Sequence, residues 1–260
     1  MGHVRLGVLP RYPRWKNVIA LLDDAEAPTS KIADQVLDSS RDVIGSESAQ
    51  SSVGYCVWLI AQITLASRGE SFKDDLSKLG IRASDETNAT EFIANVAHLA
   101  SRQLSSLRPR NALGDIAGLA LRETLTRSIG VHSATLFGAG LAEVQDAIRK
   151  YSTQKQFSSL LHLFFTAFLN RVLRFVVDKE LANHVGPGRR FENLDGLDEF
   201  TKSLEGFAGQ TSRIVDEFSG GWYSKRVWQQ GAISEQDAAR FVHVALSKLS
   251  ADLALNEARP

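Results

Sequence analysis

Apolar side chains occupy nearly every face of the stretch from Lys155 to His184. Leu160, Leu161, Leu163, Phe164, Phe165, Phe168, Leu169, Val172, Leu173, Phe175, Val176 and Val177 spread around almost the whole circumference of a helix. That is the pattern of a helix packed against others on all sides, so the spacing predicts a central core helix over about 157–181. His162, Asn170, Arg171 and Arg174 interrupt it, and its uninterrupted apolar runs fall far short of the roughly 20 residues that span a bilayer. A membrane span is therefore not expected.

The same stretch carries a polar row, His162, Thr166, Asn170, Arg174 and Asp178, each four positions after the last. At about 3.6 residues per turn such a row drifts by about 40° per step and forms a slanting seam. Facing neighbouring helices, it would be a buried network with Arg174 paired to Asp178, able to line a cavity. Facing water, it is the solvated edge of an otherwise buried helix. The solvated reading costs less, because a buried charge costs several kcal/mol unless fully paired.

Helical periodicity recurs along the rest of the chain. It predicts helices over 15–22, 30–44, 53–66, 71–79, 91–107, from Leu113 to Ile129, and across LAEVQDAIRKY after Gly140. Polar stretches at 45–52 and 82–90 read as loops, the second being the best candidate for a subdivision of the chain. Ser71 with Asp74 and Ser234 with Asp237 have the spacing of capping boxes. Phe200, Leu204, Phe207, Thr211, Ile214 and Phe218 recur in steps of four and three, a narrow seam on one helix that Gly220 and Gly221 would end. A last helix from Ser234 presents Phe241, Val242, Ala245, Leu246, Leu249 and Leu253 on one face, and 257–260 should fray. The expected fold is mainly α: about nine or ten helices in a bundle or array around the central helix. Residues 17–256 form one helical domain behind an arm at 1–16, with at most a minor strand near 3–8.

Composition narrows the function classes. The chain has 260 residues, 43% hydrophobic and 23% charged, with 30 basic against 30 acidic side chains, so any basic surface must be local. Cys56 is the only cysteine, which excludes an intramolecular disulfide and a cysteine-rich zinc site and suits a reducing cytoplasm. Its apolar neighbours suggest a small buried hydrophobe. The first residues have no apolar core of the signal-peptide kind. No phosphate-binding Walker loop, zinc-binding helix pair or nucleophile elbow occurs, and the six histidines are scattered. Gly138 and Gly140 imitate part of a dinucleotide fingerprint, but Glu143 stands where its third small residue is needed. No cofactor or metal is expected.

Three segments remain as candidates for binding. The arm carries Arg5, Arg11, Arg14 and Lys16 beside Tyr12 and Trp15, without an acidic residue. Arg189 and Arg190 sit in a glycine-rich connection followed by Glu192, Asp195, Asp198 and Glu199, where local pairing is simpler than anion binding. The most unusual composition is SGGWYSKRVWQQG, read as a glycine-bounded loop at 220–231 that presents Trp222, Tyr223 and Trp228 around Lys225 and Arg226. Large aromatics beside cations are what a binding loop needs. Plugging the end of a bundle is the competing use of the same rings. The resulting expectation is a non-enzymatic cytoplasmic interaction subunit that meets another protein through this loop. The runner-up is a nucleic-acid binder using 5–16, 189–191 and 222–228. A third reading is an enzyme whose site lies along the seam.

Overall fold

A computed structural model describes residues 14–107, 112–130 and 140–257. They form eleven α-helices: α1 (Arg14–Asp23), α2 (Thr29–Ile44), α3 (Glu47–Ala66), α4 (Phe72–Lys78), α5 (Ala89–Ser106), α6 (Ala112–Leu125), α7 (Leu141–Arg149), α8 (Gln154–Leu181), α9 (Leu194–Thr211), α10 (Arg213–Gln230) and α11 (Glu235–Glu257). Among the described residues there is no strand, only an isolated bridge between Val185 and Phe191. The strand expected near 3–8 and most of the 1–16 arm lie outside the described residues, as do the glycine-rich stretch 131–139 and residues 258–260.

A helix that is apolar on nearly every face needs neighbours around most of it, and α8 has them. It packs against α6, α9 and α10, with α2 closing a further side. Phe157, Phe164, Phe165, Phe168, Leu173 and Val177 on α8 are completely buried. The fully buried side chains of the Leu and Phe class stabilise by about 1.5–3 kcal/mol each. By length and composition alone α8 is apolar enough to cross a membrane, contrary to the reading from its apolar runs, but 61% of its most apolar window is buried within the protein. A second layer is built on α3, which packs against α11 and α6; α6 therefore touches both central helices. Buried residues from α1 to α11 join one continuous core, which carries on across the 82–90 loop. Cys56 lies inside it, where burial pushes its thiol well above the usual range.

Two expected boundaries are wrong, each for a local reason. The polar stretch 45–52 is mostly the first turns of α3, because the Ser46 hydroxyl accepts from the Ala49 N–H at 3.3 Å and Glu47 favours the helix N-terminus. The single helix expected from Phe200 to Phe218 turns at Ser212, whose buried hydroxyl donates back to the Ala208 carbonyl at 2.7 Å and leaves α9 and α10 as separate helices. The Ser71 hydroxyl makes no capping bond, whereas the box at the start of α11 forms as expected, with Ser234 and Asp237 bonded to each other's backbone N–H.

The largest correction is at 220–231. These residues are not a loop: α10 runs through Gly220 and Gly221 to Gln230 and is stopped by Gly231, which holds the left-handed conformation that favours glycine (φ 67°). Gly220 lies at a close crossing, where an added Cβ would sit 2.7 Å from the Gln154 carbonyl oxygen at the start of α8; Gly221 would meet nothing within 4 Å. The first glycine lets α10 approach α8, and the second only weakens the helix.

The two neighbours should thus respond oppositely to the same substitution. Gly221→Ala is expected to stabilise by up to about 1 kcal/mol through helix propensity. Gly220→Ala is expected to destabilise by about 1–3 kcal/mol because backbone would have to move. Urea unfolding of both variants checks this, and a shift of the same sign in both would contradict the crossing.

Candidate functional site

Helix formation at 213–230 sorts the aromatic and basic candidates onto different faces of α10. Tyr223 is 2% exposed and stacks on Phe157 of α8, ring centroids 3.9 Å apart. Trp222 is half-buried and stacks on Phe241 of α11 at 4.4 Å, so it belongs to the α8–α10–α11 junction. These two rings serve packing. Trp228, one and a half turns on, is 90% exposed. Of the two cations, Arg226 pairs with Asp237 at 3.3 Å and ties α10 to the capping box of α11. Lys225 is exposed.

Lys225 and Trp228 border an open groove of about 730 Å³ between the C-terminal half of α10, the turn after α3 and the short helical turn before α8. Tyr223, Ser224, Ser152 and Arg68 also line it, and no carboxylate does. The Tyr223 hydroxyl is buried without a well-formed hydrogen bond, and the Ser224 hydroxyl is held only by Gln154 Oε1 at 3.4 Å. Burial raises the Tyr223 phenol above its ordinary range, partly opposed by the Arg68 guanidinium, so it stays a neutral donor at physiological pH. Arg68 was not singled out by the sequence. It follows the C-terminus of an apolar helix, an ordinary place for a cation, and nothing local announces that α10 lies beside it.

Arg189 and Arg190 do not pair with the acids that follow them. Arg189 donates to the Asn183 carbonyl at 3.1 Å. Arg190 reaches across to the α1–α2 connection and donates to the carbonyls of Leu21, Asp24 and Ala27, with its guanidinium also near the rings of Phe191 and Phe200. Burial lowers its pKa, opposed by Asp24, yet a guanidinium remains charged in any ordinary buffer. Arg190 is thus a clasp that ties the connection after α8 to the first helical pair. The acids go elsewhere: Asp198 pairs with Lys202 at 2.6 Å, and Asp195 lies in the first turn of α9, which Asn193 caps.

The polar seam of α8 is neither wholly buried nor wholly solvated. His162 Nε2 lies 2.9 Å from the Gly209 carbonyl, to which an N–H donates, and Nδ1 lies 3.4 Å from Asp216 Oδ2. Burial raises the Asp216 carboxyl above its ordinary range, against the pull of His162 and Arg213. Thr166 Oγ1 and Asn170 Oδ1 are buried and unbonded, while Arg174 and Asp178 form an exposed pair at 3.3 Å. His162 Nε2 is thus committed to a backbone carbonyl, while Nδ1 stands near the Asp216 carboxylate without a hydrogen bond. The seam residues line neither the groove beside Trp228 nor a second groove at the α8–α10 crossing, which is formed by Ser158, Asp216 and their neighbours. The Ser158 hydroxyl is itself committed to the Asp216 carbonyl and to Ser219, each at 2.7 Å. Among the described residues no three His, Cys, Asp or Glu side chains converge as a metal site would require.

Two of the basic residues singled out for binding, Arg190 and Arg226, therefore hold the fold; the first can be tested directly and the second through its partner Asp237. Arg190→Ala should cost about 2–4 kcal/mol, because it leaves three carbonyls without their charged donor. Arg190→Lys should recover only part, lacking the planar fork; melting temperatures near wild type in both variants would remove the clasp. For Asp237, burial raises the pKa, but the two Ser234 hydrogen bonds, Arg226 and Arg240 outweigh it and hold the carboxyl below its ordinary range. A depressed carboxylate adds stability above its unfolded pKa of about 3.9, and that stability disappears as pH falls through the folded value. Asp237→Asn should lower the melting temperature at pH 7 and flatten its fall below about pH 4. Equal acid sensitivity in wild type and variant would contradict this.

Set against known protein families, curated proteins and solved structures, the chain matches none of them, and the site rests on its own geometry.

Proposed function

We propose that the chain is a helical interaction subunit that docks another protein on the exposed C-terminal half of α10. The observation that carries this reading is Trp228, a large ring left 90% exposed at the rim of an open groove while the neighbouring Trp222 and Tyr223 are drawn into packing. A solvated indole has no role in holding α10, since the ring contacts of that helix with α8 and α11 run through Phe218, Trp222 and Tyr223. Binding hot spots draw heavily on tryptophan because one rigid ring provides much contact area at little entropic cost. The Ser158 hydroxyl, committed to the Asp216 carbonyl and to Ser219, favours binding over catalysis at the α8–α10 crossing. The single, buried Cys56 suits a reducing compartment such as the cytoplasm.

The nucleic-acid reading is supported less well. Arg190 is occupied by three carbonyls and Arg226 by Asp237, which removes two cations from the proposed basic surface. Lys225 and Arg189 remain exposed.

The two tryptophans of α10 separate docking from packing. Trp228→Ala should abolish stoichiometric recovery of a protein partner in pull-downs from source cells, including nuclease-treated samples, with an unchanged melting temperature. Trp222→Ala should destabilise by on the order of 3 kcal/mol. Undiminished partner recovery by Trp228→Ala would refute the docking role, and recovery lost only on nuclease treatment would favour nucleic acid.

A further inference from the structure

We propose that the groove beside Trp228 receives an acidic segment of the docked polypeptide: a carboxylate between Arg68 and Lys225, with an adjacent apolar side chain lying on Trp228. The inference rests on the docking role of α10 and adds the chemistry of the partner. Charge complementarity is its first support. Arg68 and Lys225 come from separate elements and line one groove; among the described residues neither forms a salt bridge with an acid, and no carboxylate lies in the wall. Elsewhere on the bundle, Arg127 and Arg171 meet Glu123, and Arg174 meets Asp178. In a chain with equal numbers of acids and bases, two cations facing one groove without an acid is a local imbalance that an external anion would balance.

The second support is independent of charge. Tyr223, only 2% exposed, lines the same groove, and its hydroxyl is buried with the Arg68 guanidinium beside its oxygen and no acceptor for its proton among the described residues. A neutral phenol is a donor awaiting an acceptor, and a buried donor left unmet is unfavourable. A carboxylate offers acceptor positions for the phenol and for the forked Arg68 guanidinium together.

The helix termini argue for a carboxylate over a polyphosphate or nucleic-acid backbone. The groove lies beside the C-terminal ends of α3 and α10, where the helix dipole disfavours concentrated negative charge. Side chains from α7 soften this for α3: Gln145 and Arg149 donate to the Ser67 carbonyl, and Gln145 also to that of Gly69. A single carboxylate is within the capacity of two cations there. A phosphate backbone needs a longer row of free cations.

The test uses the full-length chain on an array of heptapeptides with Asp-Glu fixed at the two central positions and random residues elsewhere, beside an array with Asn-Gln at those positions. Wild-type protein should retain acidic peptides that carry an apolar residue next to the acids, and retain fewer as salt rises. Arg68→Glu and Lys225→Glu, both at exposed positions, should each weaken retention about tenfold or more while leaving the melting temperature unchanged. Equal retention of the amide array, unaltered retention by both charge reversals, no retained peptide, or displacement of the acidic peptides by an oligo-thymidine strand would each overturn the proposal. If Trp228→Ala abolishes retention but the charge reversals do not, docking stands and the acidic chemistry falls. If Trp228→Ala also has no effect, the docking role falls with it.

Discussion

Burying α8 is the constraint from which the rest of this architecture follows. A helix apolar around most of its circumference leaves little but its polar seam for solvent, so α2, α6, α9 and α10 pack around it. Four neighbours around one helix cannot all pack at the same distance with large side chains at every crossing. At the α8–α10 crossing the approach is made possible by Gly220, which rests almost on the backbone of Gln154, and Ser158 and Ser219 bond to each other across the same contact. Small residues there bring Phe157 of α8 into stacking distance of Tyr223 and so set the rotation of α10 about its own axis.

That rotation decides which side chains are left for binding. Turning Tyr223 and Trp222 inward turns Trp228 outward and places Lys225 beside Arg68 at the groove. Arg226, one residue on, points to the other side and completes the cap of α11. Cations adjacent in sequence thus acquire unrelated roles, one solvated and one structural. Arg189 and Arg190 divide in the same way, since only Arg190 reaches the three carbonyls between α1 and α2.

The seam on α8 follows from the same surroundings. Its N-terminal members face the region where α9 turns into α10, so His162 finds the Gly209 carbonyl and the Asp216 carboxylate; its C-terminal members emerge into solvent, where Arg174 and Asp178 pair as any exposed i,i+4 couple would. A row that reads as one feature along the helix is divided by what covers it. Between the two ends, Thr166 and Asn170 carry buried oxygens without partners, an unmet demand of the packing that the proposed docking does not use.

Much of the fold was legible in the sequence because helical periodicity and capping are local. The central helix, the α11 capping box and most helix positions follow from spacings of three and four and from hydroxyl or amide side chains at helix starts. The division at Ser212 was not, because a serine can bend a helix or sit quietly in it depending on what the two halves pack against. Nor was the passage of α10 through Gly220 and Gly221: a glycine pair commonly ends a helix, and only the nearness of α8 makes one of them a contact. For the site, the sequence picked out the aromatic and basic cluster by composition, which is additive along the chain. Tertiary structure alone decided that Trp228 faces solvent, that Tyr223 and Arg226 hold the bundle, and that Arg68, distant in sequence, shares the groove. Exposure and juxtaposition depend on which helix faces cover one another, and that is a property of the packed whole.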